Sequence, residues 1–228
     1  MTNIDELKFP DFRTAAERLA DDMAAAPKDA IVARGRAGIA VSGGRTPETV
    51  LPRLATAKLD WAKVDVTLID ERWVDSDHPD SNEGLALRTL LAGRAADARF
   101  VGLKVPGDDP FSALPEIEQN LTPLNWPLDA AFLGVGPDGH IASLFPDSGD
   151  WRDAPGRVLA VQQAGDRRAR ISLTPNALLD CRHIFLILSG AEKIAVYEAA
   201  KTPGDMLEMP LRLIMHQVRV PVTVYIAP

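Results

Sequence analysis

A glycine-rich turn carries one acid and one histidine. The apolar run from Ala130 to Val135 breaks into Gly136-Pro137-Asp138-Gly139-His140, and the chain then becomes apolar again. An apolar strand that ends in glycines presents the next side chains at its tip, where ligand sites of open α/β sheets lie. His140 can be neutral near pH 7 and accept a proton from water, and Asp138 can orient it.

Two other interpretations of this turn stay open on the residues alone. A lone histidine is often a helix cap or a hydrogen-bonded core residue. Gly134, Gly136 and Gly139 also satisfy the dinucleotide-binding spacing Gly-x-Gly-x-x-Gly, but Asp138 would face a pyrophosphate unfavourably. The place of His140 at a strand tip favours catalysis.

A second glycine turn, Ser42-Gly43-Gly44-Arg45-Thr46-Pro47, follows the apolar run 38–41. Its glycines let the backbone approach a ligand, and the helix expected after it points free N–H groups and a positive dipole end at the same place. Ser42 and Thr46 add hydroxyl groups, and Thr46 is predicted as the N-cap with Pro47 at N1. The turn predicts a phosphate site without the lysine of ATP-binding loops. The alternatives are a plain capped turn and a serine-hydrolase elbow, for which no local base is present.

Asp70-Glu71-Arg72 places three charges directly after the apolar run 64–69. Asp70 could orient a sugar hydroxyl or move a proton, and Arg72 could hold an anion. A solvated loop with a local ion pair is an equally good interpretation. The acidic residues 75–80 lack the glycine spacing of a calcium loop, and the histidines and the one cysteine show no metal-ligand spacing, so we expect no metal.

Basic side chains late in the chain are candidates to close over an anionic substrate. Arg167, Arg168 and Arg170 precede an apolar run, and Lys193 lies in the first turn of a predicted helix. A solvated charge is the simpler interpretation for most of them. Lys193 stands out because a cation in the first turn opposes the helix dipole, so we expect something to compensate it.

Composition narrows the class of protein. The 228 residues include 46% apolar and 25% charged side chains and carry a formal net charge of −7, which argues against a general binder of nucleic acid or anionic membranes. Cys181 is alone and cannot form an internal disulfide, and Met1 to Asp11 lack the apolar core of a signal peptide. No apolar run approaches the ~20 residues of a membrane span. We expect a cytoplasmic protein that is a monomer or a weak homodimer.

Short apolar runs alternate with helical patterns along the chain, which indicates βαβ units. We therefore predict one α/β domain over residues 1–228, with a Rossmann-like, doubly wound, mostly parallel sheet flanked by helices. The predicted strands are 38–41, 64–69, 100–105, 130–135, 157–162, 170–173, 184–188 and 222–226, with the fifth and sixth paired through the turn at 165–166. The predicted helices are 10–26, 47–57, 82–92, 111–121, 175–180, 190–201 and 210–217.

Taken together, the motifs resemble those of 6-phosphogluconolactonases. They are Ser-Gly-Gly-x-Thr-Pro at 42–47, Asp-Glu-Arg-Trp-Val at 70–74, Leu-Gly-x-Gly-Pro-Asp-Gly-His at 133–140 with Ser-Leu-Phe-Pro at 143–146, Arg-Ile-Ser-Leu-Thr at 170–174 and Gly-Ala-Glu-Lys at 190–193. The sister family of glucosamine-6-phosphate deaminases shares the glycine loop and the Asp-Gly-His turn. It carries an Asn-Glu-Pro type segment after the histidine and an aromatic residue in place of Arg72, so both differences favour the lactonases.

The resemblance implies hydrolysis of 6-phospho-D-glucono-1,5-lactone to 6-phosphogluconate in the pentose phosphate pathway, without metal or cofactor. It implies His140 as the general base, Asp138 as its partner and Asp70 as a contact for sugar hydroxyls. The implied phosphate contacts are Ser42, Gly43, Gly44 and Thr46, with Arg72, Arg170 and Lys193 as clamps.

Other functions stay open. A sugar-phosphate isomerase or deaminase could use Asp70 to move a proton, and a sugar-phosphate-binding regulator would not catalyse at all. The regulator is disfavoured because the chain has no spare segment for a nucleic-acid-binding module.

Overall fold

The computed structural model describes residues 3–228, which form ten strands and seven α-helices. Met1 and Thr2, which open both the predicted domain and the segment predicted to lack a signal peptide, lie outside the described residues. The strands are β1 (Ile4–Lys8), β2 (Ala37–Val41), β3 (Val64–Leu68), β4 (Asp70–Arg72), β5 (Arg99–Val101), β6 (Ala130–Leu133), β7 (Val158–Val161), β8 (Arg170–Leu173), β9 (Ile184–Ser189) and β10 (Val222–Ala227). The helices are α1 (Phe12–Arg34), α2 (Arg45–Ala55), α3 (Asn82–Thr89), α4 (Pro110–Leu121), α5 (Pro175–Leu178), α6 (Ala191–Ala200) and α7 (Leu211–His216).

Seven strands form one parallel sheet in the order β1-β10-β9-β6-β2-β3-β5. From β2 the chain builds outward to β3 and β5, and from β6 it builds outward in the opposite direction to β9 and β10. The predicted doubly wound, mostly parallel α/β fold is confirmed. A smaller antiparallel sheet, β4-β8-β7, stands beside it, and it contains the predicted pairing of residues 157–162 with 170–173.

The central strands are mostly apolar. Every residue of β2, β3 and β6 is buried, as expected for a parallel sheet between helices. α1 packs on the sheet and on α2 through a face that includes Leu19 and Met23, both fully buried. Each such side chain stabilises the fold by roughly 1.5–3 kcal/mol.

One buried acid links two central strands at their amino-terminal ends. Asp129, immediately before β6, is 3% exposed. It accepts a hydrogen bond from the Gly38 amide at 2.9 Å and pairs with the guanidinium groups of Arg34 and Arg182. Because Gly38 lies in β2, this carboxylate joins β2 to β6 at the end opposite the glycine turns.

Several predicted boundaries are wrong. β1 was not predicted because its sequence, Ile-Asp-Glu-Leu-Lys, has no alternating pattern; pairing with β10 and a hydrogen bond from Tyr197 to Glu6 stabilise it instead. α1 continues through Pro27 to Arg34, since Pro27 and Ala30 still pack on the core. Of the third predicted strand, 100–105, only residues 100 and 101 lie in a strand, as part of β5.

No helix within residues 3–228 has both the length and the apolar character to cross a membrane. The prediction that residues 1–228 form one domain stays a prediction.

Candidate active site at the switch point of the sheet

The carboxyl ends of β2 and β6 lie side by side where the strand order reverses. Open α/β sheets bind ligands in the crevice outside such a switch point. Ser42, directly after β2, fastens the two ends: its hydroxyl donates to the Phe132 carbonyl at 2.8 Å and accepts from the Gly134 amide at 3.1 Å. In this arrangement its proton is not free for a ligand, and its oxygen is not poised as a hydrolase nucleophile.

A cavity of about 390 Å³ opens at this place. Nine of the ten predicted site residues line it, namely Ser42, Gly43, Gly44, Thr46, Asp70, Arg72, His140, Arg170 and Lys193. The tenth, Asp138, contacts His140. The wall also contains Phe12, Arg45, Asn82 and Ser189, which the sequence prediction did not select.

The glycine loop leads into α2 earlier than predicted. The helix begins at Arg45 and its N-cap is Gly44, whose φ of 101° is open to glycine but strained for other residues. The prediction of Thr46 as N-cap is therefore wrong, since Thr46 already lies inside the first turn. No side chain among residues 3–228 caps α2, so its first N–H groups remain available to an anion in the cavity.

Gly43 is required by Asn82. A Cβ atom on Gly43 would lie 1.8 Å from the Asn82 Oδ1 atom, far inside contact distance. Asn82 is 3% exposed and donates through Nδ2 to the Asp70 carbonyl at 2.8 Å. The glycine loop after β2 therefore packs directly on the segment that follows β4.

A second helix also begins at the cavity on a glycine with positive φ. α6 starts at Ala191 after Gly190, whose φ is 86°, and no side chain within residues 3–228 caps it. Ser189 and Lys193, on either side of this start, line the cavity. The prediction that Lys193 lies in the first turn of a helix is confirmed.

Arg45 and Lys193 bring two positive charges to these helix starts. Burial, followed by repulsion from Arg45, lowers the pKa of Lys193, while Glu192 opposes this shift. Both side chains line the same cavity. Two cations beside two uncapped helix N-termini would favour an anionic ligand, because the charges and the helix dipoles both attract negative charge.

Asp70-Glu71-Arg72 is a strand, so the interpretation of these residues as a solvated loop is wrong. Each of its residues lies opposite a residue of β8, so that Arg72 faces Arg170 and Asp70 faces Ser172. Local sequence could not show this, because the hydrogen-bonding partner is a hundred residues away along the chain. The pairing brings Arg72 and Arg170 to one wall of the cavity.

Asp70 is held by its neighbours. Its Oδ2 atom accepts from the Ser143 hydroxyl at 2.6 Å and lies 3.5 Å from the Arg170 guanidinium, and its Oδ1 atom accepts from Asn82 at 3.3 Å. Burial lowers the pKa of Arg170, and the charge of Asp70 opposes that shift. The carboxylate is therefore oriented before any ligand arrives.

Glu71 supports the same wall and was not selected from the sequence. It is fully buried, and burial raises its pKa against the effect of four hydrogen bonds. Its oxygens accept from the Ser81 hydroxyl and from the amides of Arg72, Asn82 and Glu83. Glu71 thus fixes the start of α3 and, through it, Asn82.

His140 and Asp138 form a hydrogen-bonded pair. The Nδ1 atom of His140 lies 2.5 Å from Oδ1 of Asp138, and the His140 amide donates to the same oxygen at 3.1 Å. Burial raises the pKa of Asp138, but the hydrogen bond and the charge of His140 outweigh it, so the net shift is downward. A Cβ atom on Gly136 would lie 2.1 Å from the imidazole, so glycine is needed there. With Nδ1 on Asp138, Nε2 is the imidazole atom left for a substrate or a water.

In the part of the chain that the structure describes, no group of three or more His, Cys, Asp or Glu side chains could hold a metal ion.

Comparison with known proteins agrees with this geometry. The family described as glucosamine-6-phosphate isomerases/6-phosphogluconolactonase matches residues 10–223. The chain belongs to this family. A 6-phosphogluconolactonase of Pseudomonas putida is 40% identical over 99% of this chain and 97% of its own length. A 6-phosphogluconolactonase of Rhizobium meliloti is 38% identical over 93% of this chain and 94% of its own length.

A solved structure supports the same grouping. The crystal structure of a 6-phosphogluconolactonase from Shewanella baltica superposes with a TM-score of 0.95 at 33% identity, over 100% of this chain and 98% of that one. The family contains two activities, so membership alone does not separate lactonase from isomerase. The lactonase names of these relatives do favour one of them.

Proposed function

We propose that this protein hydrolyses 6-phospho-D-glucono-1,5-lactone to 6-phosphogluconate, a step of the pentose phosphate pathway. The lactonase prediction is confirmed by the relatives of that name. The observation that carries the proposal is that the His140–Asp138 pair opens onto the same cavity as two uncapped helix starts with Arg45 and Lys193. A base and an anion site in one cavity suit a substrate that carries a phosphate group and, elsewhere, an uncharged electrophilic carbonyl.

The phosphate would lie at the starts of α2 and α6. The backbone amides at Gly44 and Arg45 would donate to its oxygens, and Arg45 and Lys193 would supply charge. Thr46 would add a hydroxyl from the first turn of α2. A bound dianion would also compensate the cation in the first turn of α6.

The reaction would occur at His140. Its Nε2 atom would take a proton from water as the water oxygen bonds to the lactone carbonyl carbon. Negative charge would develop on the carbonyl oxygen, and the cations of Arg72 and Arg170 would stabilise it or the phosphate. The tetrahedral intermediate would then collapse, breaking the bond to the ring oxygen, and His140 would return the proton to that oxygen. The resulting carboxylic acid then loses its proton to solvent, so the products are a carboxylate, a free hydroxyl group and one proton.

Asp138 and Asp70 would have supporting parts. Asp138 would hold the tautomer of His140 that leaves Nε2 free to accept a proton, and it would stabilise the imidazolium that forms. Asp70, oriented by Ser143 and Asn82, would accept hydrogen bonds from sugar hydroxyls. We propose that the enzyme works in the cytoplasm as a monomer or a weak homodimer, which cell fractionation and light scattering would test.

A coupled assay tests the function. Glucose-6-phosphate dehydrogenase supplies fresh lactone, and formation of 6-phosphogluconate is measured against the spontaneous rate, because lactones hydrolyse without an enzyme. We expect a rate far above that background. Ammonia release from glucosamine-6-phosphate would indicate the deaminase reaction instead, and tight binding without turnover would indicate a regulator.

A further inference from the structure

Phe145 touches the proposed base. It belongs to the Ser-Leu-Phe-Pro segment at 143–146, and the proposed mechanism gives it no part. Its side chain is 5% exposed. Its ring centroid lies 4.4 Å from that of His140, with 41° between the two planes.

The same ring contacts two arginines of the β7–β8 hairpin. The guanidinium carbon of Arg167 lies 4.0 Å from the Phe145 centroid, and that of Arg170 lies 5.3 Å away. Arg167 is held in turn by an ion pair with Asp147 at 2.9 Å. Phe145 therefore packs between elements that are distant in sequence, and its ring has little freedom to move.

The backbone around Phe145 is fixed as well. The Phe145 amide donates to the Ser148 hydroxyl at 3.0 Å, and the Ser143 amide donates to the Ser172 hydroxyl at 3.1 Å. Ala142, between His140 and this anchor, has a φ of 52°, a conformation that non-glycine residues adopt at a cost. Such strain persists only where neighbouring contacts impose it, as those of Ser143 and Phe145 do here.

We infer that Phe145 is a positioning residue for His140. The hydrogen bond to Asp138 holds one ring nitrogen but leaves the imidazole plane free to tilt about that contact. The contact with the Phe145 ring restricts this tilt and keeps Nε2 directed at the reacting water. Arg167 in turn packs on Phe145 and holds its ring in place. This inference rests on the proposed function of His140, since it assigns the residue that makes that base effective.

The test replaces Phe145 by leucine, which keeps an apolar side chain but removes the flat ring. A displacement of a reacting group by about 1 Å can cost on the order of 100-fold in rate, so we expect kcat to fall about 10- to 100-fold with KM within about twofold. Phe185→Leu is the matched control. Phe185 is also buried and stacks on a histidine, His183, with centroids 4.3 Å apart, but neither residue lines the cavity. The control should lose comparable stability and keep its kcat.

A double variant separates positioning from general damage. In a His140→Ala background, Phe145→Leu should leave the remaining rate unchanged, because the group it positions is gone. An equal fold-loss in both backgrounds, or an unchanged kcat in the single variant, would overturn the inference.

Proton NMR gives a readout that does not need turnover. The hydrogen-bonded Nδ1 proton of His140 should give a downfield signal that broadens in Phe145→Leu and persists in Phe185→Leu. If the parent protein hydrolyses no lactone while this signal behaves as described, the proposed function fails, and only the contact by which Phe145 positions the His140 ring is supported. If the lactone is hydrolysed and the signal is the same in both variants, the inference fails alone.

Discussion

Replacement of Lys193 by methionine would remove one of the two cations at the starts of α2 and α6. A hydrogen bond to a charged group contributes about 1.5–3 kcal/mol. Lys193 is only partly buried, and solvent weakens its interaction, so the low end of about 1.5–2 kcal/mol applies. At about 1.4 kcal/mol for each factor of ten, KM for the phosphorylated lactone should rise about 10- to 30-fold while kcat changes little.

The assay compares two substrates. Kinetics on 6-phosphogluconolactone, generated in place, are set against kinetics on unphosphorylated glucono-1,5-lactone, for which the variant should equal the parent protein. Lys201→Met is the matched control, because Lys201 ends the same helix but pairs with Glu6 and Glu198 outside the cavity. An equal loss on both lactones would refute the assignment of Lys193 to the phosphate.

The same substitution should also change the stability of the ligand-free protein. The pKa of Lys193 is below its ordinary value of 10.5 in the folded protein, so the unfolded chain binds this proton more tightly. The resulting penalty on the folded state is full below the folded pKa and disappears as pH rises to 10.5. Lys193→Met should therefore be more stable than the parent protein in urea unfolding at pH 7, and the gain should shrink as pH approaches 10.5. A variant that is less stable at pH 7 would contradict a net penalty from burial of the Lys193 charge and its repulsion by Arg45.

Three further substitutions test other parts of the account. Gly43→Ala should displace Asn82 and lower kcat/KM in the lactonase assay. The double variant Gly43→Ala/Asn82→Ala should recover part of that loss. If it recovers none, the clash with Asn82 is not the cause. Asp129→Asn should lower the free energy of unfolding by about 1–3 kcal/mol, measured in urea, and leave kcat unchanged, since Asp129 lies at the far edge of the sheet; a changed kcat would refute that separation. Asp138→Asn should lower kcat about tenfold or more. The same variant should also differ in stability, because the folded pKa of Asp138 is below 3.8. The stabilisation from the Asp138 charge should be present above pH 3.8 and be lost as pH falls through the folded pKa. Parent and variant would then converge in stability in acid, and a constant difference down to low pH would contradict this.

The residues at the strand tips could be found from sequence because their signals are local. Glycines after an apolar run indicate both the end of a strand and a close approach of backbone, and both glycine turns do lie at the cavity. The alternation of strands and helices was enough to predict the doubly wound sheet. Lys193 was conspicuous because its charge conflicts with the dipole of α6.

What sequence reasoning missed depends on contacts between distant segments. Asn82 lies at the cavity because Glu71 fixes the start of α3 and because Gly43 leaves room for it. β4 is a strand only because β8 lies beside it. Arg45 stood within a selected motif, but only the second helix start and Lys193 show why a cation there would matter. These relations cannot be read from spacing along the chain.

The most direct test is kcat of His140→Ala in the coupled lactonase assay, with the spontaneous rate subtracted. His216→Ala is the control, because that histidine forms a hydrogen bond with the Ala200 carbonyl and does not line the cavity. General-base catalysis typically contributes ~10²–10⁴-fold, so we predict a fall of kcat by about that factor, with a small change in KM and full activity in the control. A folded His140→Ala protein with near-normal kcat would contradict the assignment of His140 as the base.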